Sequence, residues 1–218
     1  MISKTRITFY GHSMFIIQAK DSVKIGMDPY DSQVKSNLPD VSADVVTISH
    51  SHHDHSNSNL FKGNPKIINK AGMYDFKGIP INGFLSFHDN MKGTLRGDNI
   101  IFKFEIDDIK FAHLGDYGSA VNEKTFSEIK DLDIIFIPVG GVFTINYREA
   151  ITLIKELNPK IAIPIHFKEK DTHTIVDDIN PFKNSLNDFS NVKEMGKSFE
   201  ISKDELPSST EIWIMHGI

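Results

Sequence analysis

Residues 50–55 read His-Ser-His-His-Asp-His and follow directly on the apolar run DVVTIS at 44–49. Imidazole and carboxylate are ligands for zinc, iron and manganese, and a strand end entering a loop is where layered sheets place their chemistry. In an extended chain His50 and His52 lie two apart and project to one side, so a single ion can take both. A turn after residue 52 lets Asp54 and His55 address a second ion, while His53 has the wrong parity for the first pair. Three distant segments repeat the design of an apolar run followed by a ligand-type residue: IKFAHLGD offers His113 and Asp116, IAIPIHF offers His166, and GFLSFHDN offers His88. A solvated loop or an adventitious histidine tract gives no reason for that repetition. Two cations side by side share one water and lower its pKa from about 15.7 to about 7, which supplies hydroxide as a nucleophile at neutral pH.

The composition narrows the choice of ligands. The 218 residues include ten His and no Cys, which excludes a disulfide scaffold, a thiolate metal site, an iron–sulfur cluster and a thiol nucleophile. Every ligand must therefore be imidazole or carboxylate. An apolar fraction of 39% with 24% charged residues describes an ordinary globular protein. The net charge of −5 leaves no basic footprint, so neither nucleic acid nor a membrane is an expected partner. The amino terminus has no apolar stretch of signal-peptide length and no run approaches the roughly 18–20 apolar residues of a membrane span, so a soluble, cytoplasmic protein is expected.

The elements that must hold these residues are mostly strands. Short segments rich in Ile, Val and Phe stand at 7–9, 14–17, 23–27, 44–49, 66–69, 100–106, 109–112, 133–139, 160–165 and 211–215, with turn residues between them. In NYREAITLIKEL at 146–157, Ala150, Leu153, Ile154 and Leu157 follow helical spacing, Asn146 with Glu149 makes a capping box, and Pro159 lies just past the end. Residues 122–130 are a weaker helix, and the polar 170–209 stretch reads as a covering segment. With no repeat, low-complexity tract or linker, residues 1–218 form one domain in which sheets pack together with helices outside.

On these residues the chain resembles the metallo-β-lactamase-fold hydrolase superfamily, whose H-x-H-x-D-H mark is met at 50–55. GHS at 11–13, MDP at 27–29, FHDN at 87–90, HLGD at 113–116, PVGG at 138–141 with Thr144, and PIHF at 164–167 extend the likeness over nearly the whole length. Within the superfamily it is most similar to the branch containing L-ascorbate-6-phosphate lactonase and many metal-dependent hydrolases. The resemblance implies an α+β fold, a four-layer αββα sandwich of two mixed sheets flanked by helices. It implies two divalent metal ions, zinc first and manganese or iron as alternatives. His50, His52 and His88 would hold one ion, Asp54, His55 and His166 the other, and Asp116 would bridge them. Asp54 would also orient or deprotonate the water.

His88 and His113 compete for the third imidazole position, and parity against Asp116 favours His88, with His113 behind it. His12, Asp28 and His113 are candidates to support the ligands, against plain loop or turn roles. Gly140, Gly141 and Thr144 lie between strand and helix, where backbone N–H groups bind an anionic group or simply close a turn. Lys168, Tyr117 and Arg148 are candidates for substrate contact only through nearness in sequence to ligand positions. Asp116 stands where one group of β-lactamases uses Cys, which argues against β-lactam hydrolysis, and Asp54 argues against the redox chemistry of the flavo-diiron relatives. The expected function is dinuclear hydrolysis of a small anionic ester-type substrate, a lactone or phosphodiester, by a hydroxide shared between the ions. The alternatives are an RNA or DNA phosphodiester nuclease and a catalytically silent metal-binding module.

Overall fold

Ile7 and Phe9 on one strand and Phe15 and Ile17 on the next are fully buried and face Phe102, Phe104, Phe111 and Phe136 of a second sheet. The Phe15 and Phe136 rings meet across the two layers at 4.4 Å. The computed structural model describes residues 4–118, 123–189 and 191–217. A six-stranded sheet runs, edge to edge, Ser198–Ile201, Thr5–Gly11, Met14–Gln18, Lys24–Met27, Val45–Thr47 and Lys66–Ile68. Its first four strands are antiparallel and its last two join in parallel. An eight-stranded sheet runs Val192–Met195, Glu211–Met215, Ile161–Ile165, Ile134–Pro138, Ile109–His113, Asp98–Ile106, Ile79–Phe87 and Gly72–Phe76. It is parallel as far as Ile109–His113 and antiparallel beyond.

This is the expected α+β sandwich of two mixed sheets. Helix Tyr147–Leu157 packs on the eight-stranded sheet through Ala150, Leu153, Ile154 and Leu157. Its capping box is complete: Arg148 and Glu149 N–H donate to Asn146 Oδ1, and Asn146 N–H donates to Glu149 Oε2. Such a cap contributes about 1 kcal/mol. The weaker helix spans Glu123–Glu128, with residue 122 outside the described residues. Over the other sheet the outer layer is chain, with the ladder Val41–Ser42/Phe61–Lys62 and the turn Ser58–Leu60. Tyr30, Val34, Val41 and Phe61 pack there on Met14, Ile16 and Val46. Among the described residues no helix is long and apolar enough to cross a membrane.

The strands read from the sequence are present. Those it did not announce are short, lie at edges or alternate with polar residues: Val41–Ser42 and Phe61–Lys62, the first half of Ile79–Phe87, Gly72–Phe76, whose Met73 is exposed, and Val192–Met195 and Ser198–Ile201 inside the polar 170–209 stretch. That stretch therefore completes both sheets as well as covering them.

All the chemistry-bearing residues collect at one end of the sandwich. The parallel strands Ile109–His113 and Ile161–Ile165 deliver Asp116 and His166 from their C-terminal ends, and Ile79–Phe87 delivers His88. The other sheet delivers residues 50–55 beyond Val45–Thr47, and His12 from the turn between its antiparallel strands Thr5–Gly11 and Met14–Gln18. Gly115 makes the bend before Asp116 at φ +56°, and a Cβ there would lie 2.4 Å from Ser49 Cβ and 2.5 Å from Asn99 Oδ1. Only glycine fits both the backbone angle and the space. Gly115→Ala is expected to cost about 2–3 kcal/mol, read as a lower urea midpoint at unchanged slope. Stability equal to the parent would show that the bend relaxes without displacing Ser49.

Candidate metal centre

Three residues of the centre sit in left-handed backbone although none is glycine: His12 at φ 56°, Asp28 at 44° and His166 at 55°. Each such conformation costs roughly 1–2 kcal/mol, and each is held from outside. His12 N–H donates to Glu169 Oε2 at 2.8 Å and His166 N–H donates to the His12 carbonyl at 2.8 Å. Gly140 packs on the His166 carbonyl so closely that a Cβ would lie 1.9 Å from it. Asp28 N–H donates to the Thr47 carbonyl at 3.0 Å.

The structure brings together all seven residues singled out as ligands. His50, His52 and His88 each present a ring nitrogen within 4.8 Å of the others. Asp54, His55 and His166 form a second such group, joined by His12, and His50, His55 and Asp116 a third that connects the two. Asp116 is 2% exposed and faces four imidazoles: His55 Nε2 at 3.0 Å, His88 and His166 Nε2 at 3.2 Å and His50 Nε2 at 3.8 Å. Short distances do not make hydrogen bonds here. The buried atoms His50 Nε2, His55 Nε2, His166 Nε2 and Asp116 Oδ1 have no hydrogen-bond partner. Each buried polar atom left so costs about 1–3 kcal/mol.

The opposite edges of the rings explain why. Ser49 Oγ–H donates to Asp28 Oδ2 at 2.6 Å, so its lone pair accepts from His50 Nδ1–H at 3.0 Å. His55 Nδ1–H donates to the same Asp28 Oδ2 at 2.8 Å, and His88 Nδ1–H to the Phe143 carbonyl at 3.1 Å. All three rings thereby carry a proton anchored on Nδ1 and turn Nε2 to the centre, the orientation in which a cation can take the place of any proton on Nε2. A convergent set of imidazole nitrogens and carboxylate oxygens, four of whose buried atoms have no hydrogen-bond partner, fits divalent metal.

Burial, then the neighbouring His55, holds His50 neutral with its pKa lowered to about 3. Burial and His166 likewise lower His12 to about 4. Burial opposes a charge on His55 too, but Asp116 and Asp54 overcome it and drive its pKa well above the ordinary histidine value. Burial opposes ionisation of Asp54 and Asp116, yet the surrounding imidazoles keep both carboxylates below the usual range. The pattern is a pocket that calls for positive charge.

His113 turns away from this point. Its Nε2–H donates to the Ser13 carbonyl at 2.9 Å and its Nδ1 accepts from Gly115 N–H at 3.2 Å, so neither nitrogen is free for a metal. Asp28 serves two imidazoles, one directly and one through Ser49. His12 comes nearer than a supporting role suggested: its ring is fully buried, Nε2 lies 3.2 Å from Asp54 Oδ2, and it packs on His166 at 4.4 Å. Glu169, which accepts from His12 N–H and Gly217 N–H, carried no signal in the sequence beyond its place three residues after His166. His53 is exposed and bonds Asp31. Residues 140–144 close a turn through Thr144 N–H to the Gly141 carbonyl, and Lys168 Nζ ties the Thr172 and Thr174 carbonyls. Tyr117 is buried, and Arg148 lies over the Tyr147 ring.

Comparison with known proteins finds relatives over most of the chain. A family model described as beta-lactamase superfamily domain matches residues 6–166. A crystal structure from Thermotoga maritima, assigned to the metallo-β-lactamase superfamily as a candidate Zn-dependent hydrolase, is 33% identical. It superposes with a TM-score of 0.80 over 98% of this chain and 100% of that one. A UPF0173 metal-dependent hydrolase from Natranaerobius thermophilus is 28% identical over 225 residues, covering 90% of this chain and 100% of that protein. Another from Carboxydothermus hydrogenoformans is 26% identical over 191 residues, covering 74% and 84%.

Because Asp28 holds one imidazole of each group, directly at His55 and through Ser49 at His50, Asp28→Asn is expected to weaken retention of metal at either group by about 10–100-fold. The measurement is metal remaining after graded chelator competition. Metal held at parental affinity by the group that contains His50 would show that the Ser49 arm does not transmit the effect.

Proposed function

The chain belongs to the metallo-β-lactamase superfamily of metal-dependent hydrolases, and we propose that it holds two divalent ions and cleaves a small anionic ester-type substrate, a lactone or a phosphodiester. His50, His52 and His88 would hold one ion and Asp54, His55 and His166 the other, with Asp116 shared. The observation that carries this reading is the convergence of buried, partnerless Nε2 and carboxylate atoms on one point. Zinc is the first candidate, with manganese and iron also compatible with the donor set.

When bound, two such ions would supply Lewis acidity, activating water and drawing electrons from the scissile group. The chain's own residues do the rest. Of the three carboxylates, Asp54 has the most accessible side chain, 18% exposed against 2% for Asp116 and 1% for Asp28. It is the one that reaches solvent, and so the one that orients the attacking water by accepting its hydrogen bond. His12 Nε2 bonds Asp54 Oδ2 and limits how that carboxylate turns. Asp28, Ser49 and the Phe143 carbonyl keep three rings aimed while charge develops, so that little reorganisation is needed at the moment of reaction. No Ser or Cys nucleophile is required.

Reconstitution with zinc or manganese is expected to give two equivalents of metal per chain. Screening against lactones, thioesters, phosphodiesters and β-lactams should find turnover that Asp54→Ala lowers by about 100-fold or more, with His50→Ala as the blank. Failure to retain any ion, or turnover unchanged in Asp54→Ala, would overturn the reading. Two tightly held ions with no hydrolysis across the panel would leave a metal-binding module in its place.

A further inference from the structure

His88 stands at the base of a loop that is built to hold its shape. His88 N–H donates to the Gly97 carbonyl at 3.1 Å and closes residues 88–97 into a ring. Inside it Asp89, 3% exposed, accepts the N–H groups of Met91 at 2.7 Å, Gly93 at 2.9 Å, Leu95 at 3.0 Å and Arg96 at 2.8 Å. A buried carboxylate satisfied by four peptide groups leaves the backbone little freedom. Yet this fixed loop turns Met91 and Leu95 outward, 57% and 69% exposed.

The neighbouring turn does the same with Val142 and Phe143, 48% and 38% exposed. Arg96 joins the two loops: its Nη2 donates to the Val142 carbonyl at 3.3 Å and its guanidinium lies 5.1 Å from the centre of the Phe143 ring. Both loops also end on the same candidate ligand, since the Phe143 carbonyl accepts from His88 Nδ1–H. Large apolar side chains scattered singly over a surface need no explanation. Four of them on two loops tied together through Arg96, one hydrogen bond from the candidate metal centre, form an apolar rim.

We infer that this rim seats the apolar body of the substrate, an alkyl, acyl or aryl chain attached to the ester-type group that is cleaved. The inference rests on the proposed function and adds the substrate's second half: an amphipathic molecule, polar where it meets His50, His55 and Asp116 and apolar where it lies along Met91, Leu95, Val142 and Phe143. Continuity with the metal centre through the bond between His88 and Phe143 selects this occupant over a second copy of the chain.

A homologous series of straight-chain hydroxamates, from acetohydroxamate to octanohydroxamate, tests it by titration calorimetry on the zinc-loaded protein. The head group is common to all members and only the tail grows. Affinity is expected to rise about threefold to fourfold per added methylene while the tail lies on the rim. Met91→Ser, Leu95→Ser and Phe143→Ser alter exposed side chains, so folding is preserved, and each should reduce that rise to under about twofold per methylene. No dependence on tail length in the parent, or the same dependence in parent and variants, would overturn the inference. So would a parent dimer that Phe143→Ser converts to monomer with no change in tail dependence, which would assign the rim to self-association. Failure of acetohydroxamate itself to bind would count against the metal reading and remove the inference with it.

Discussion

Asp116 is 2% exposed and confronts the Nε2 atoms of four imidazoles at 3.0–3.8 Å. A carboxylate this deeply buried is tolerable only against compensating positive charge. His50 does not supply it: held neutral with its proton anchored on the far side at Nδ1, it turns a lone pair toward a negative oxygen. Lone pair against lone pair is repulsive, and the arrangement becomes favourable only with cations between them. The upward drive on the His55 pKa has the same origin, because a proton is the one positive charge the chain itself can offer to Asp116 and Asp54.

That requirement explains where the fold carries strain. Left-handed backbone at His12, Asp28 and His166 costs roughly 1–2 kcal/mol each, an appreciable share of the 5–15 kcal/mol by which a typical domain is stable. The conformations persist because the surroundings over-determine them: Glu169 at the His12 peptide, Thr47 at Asp28 and the close approach of Gly140 at His166. Relaxing any of them would move a ring or a carboxylate relative to Asp116. Strain here is the consequence of aiming side chains from two sheets at one point.

The strength of each part's sequence signal followed from its physics. Residues able to bind metal are of few types, so the candidates His50, His52, Asp54, His55, His88, Asp116 and His166 all stand in the motifs, and core strands announce themselves by apolar runs. The capping box of Asn146 and Glu149 is local and was equally plain. Supporting roles are different, because they depend on long-range placement. His12 in a Gly-His-Ser turn looks like any loop histidine until the sheet carries it to Asp54, 42 residues on. Glu169 gives no sign that it clamps the His12 peptide. Edge strands such as Val192–Met195 and Ser198–Ile201 bury little on either face, so their sequences stay polar and read as loop.

The division of the ligands between the sheets has a mechanical meaning. Of the candidate ligands, His50, His52, Asp54 and His55 come from the six-stranded sheet, while His88, Asp116 and His166 come from the eight-stranded one. Elsewhere the sheets meet through buried Phe and Ile side chains, whose dispersion contacts have little directionality. At the metal end they meet through donors whose lone pairs must converge within a few tenths of an ångström of a bond length. Ions held there would bridge the two layers and would fix their relative position more tightly than the apolar core can. The hydrogen bond from His113 Nε2 to the Ser13 carbonyl crosses between the same two sheets beside this point. It ties the two layers together at the end where the candidate ligands converge.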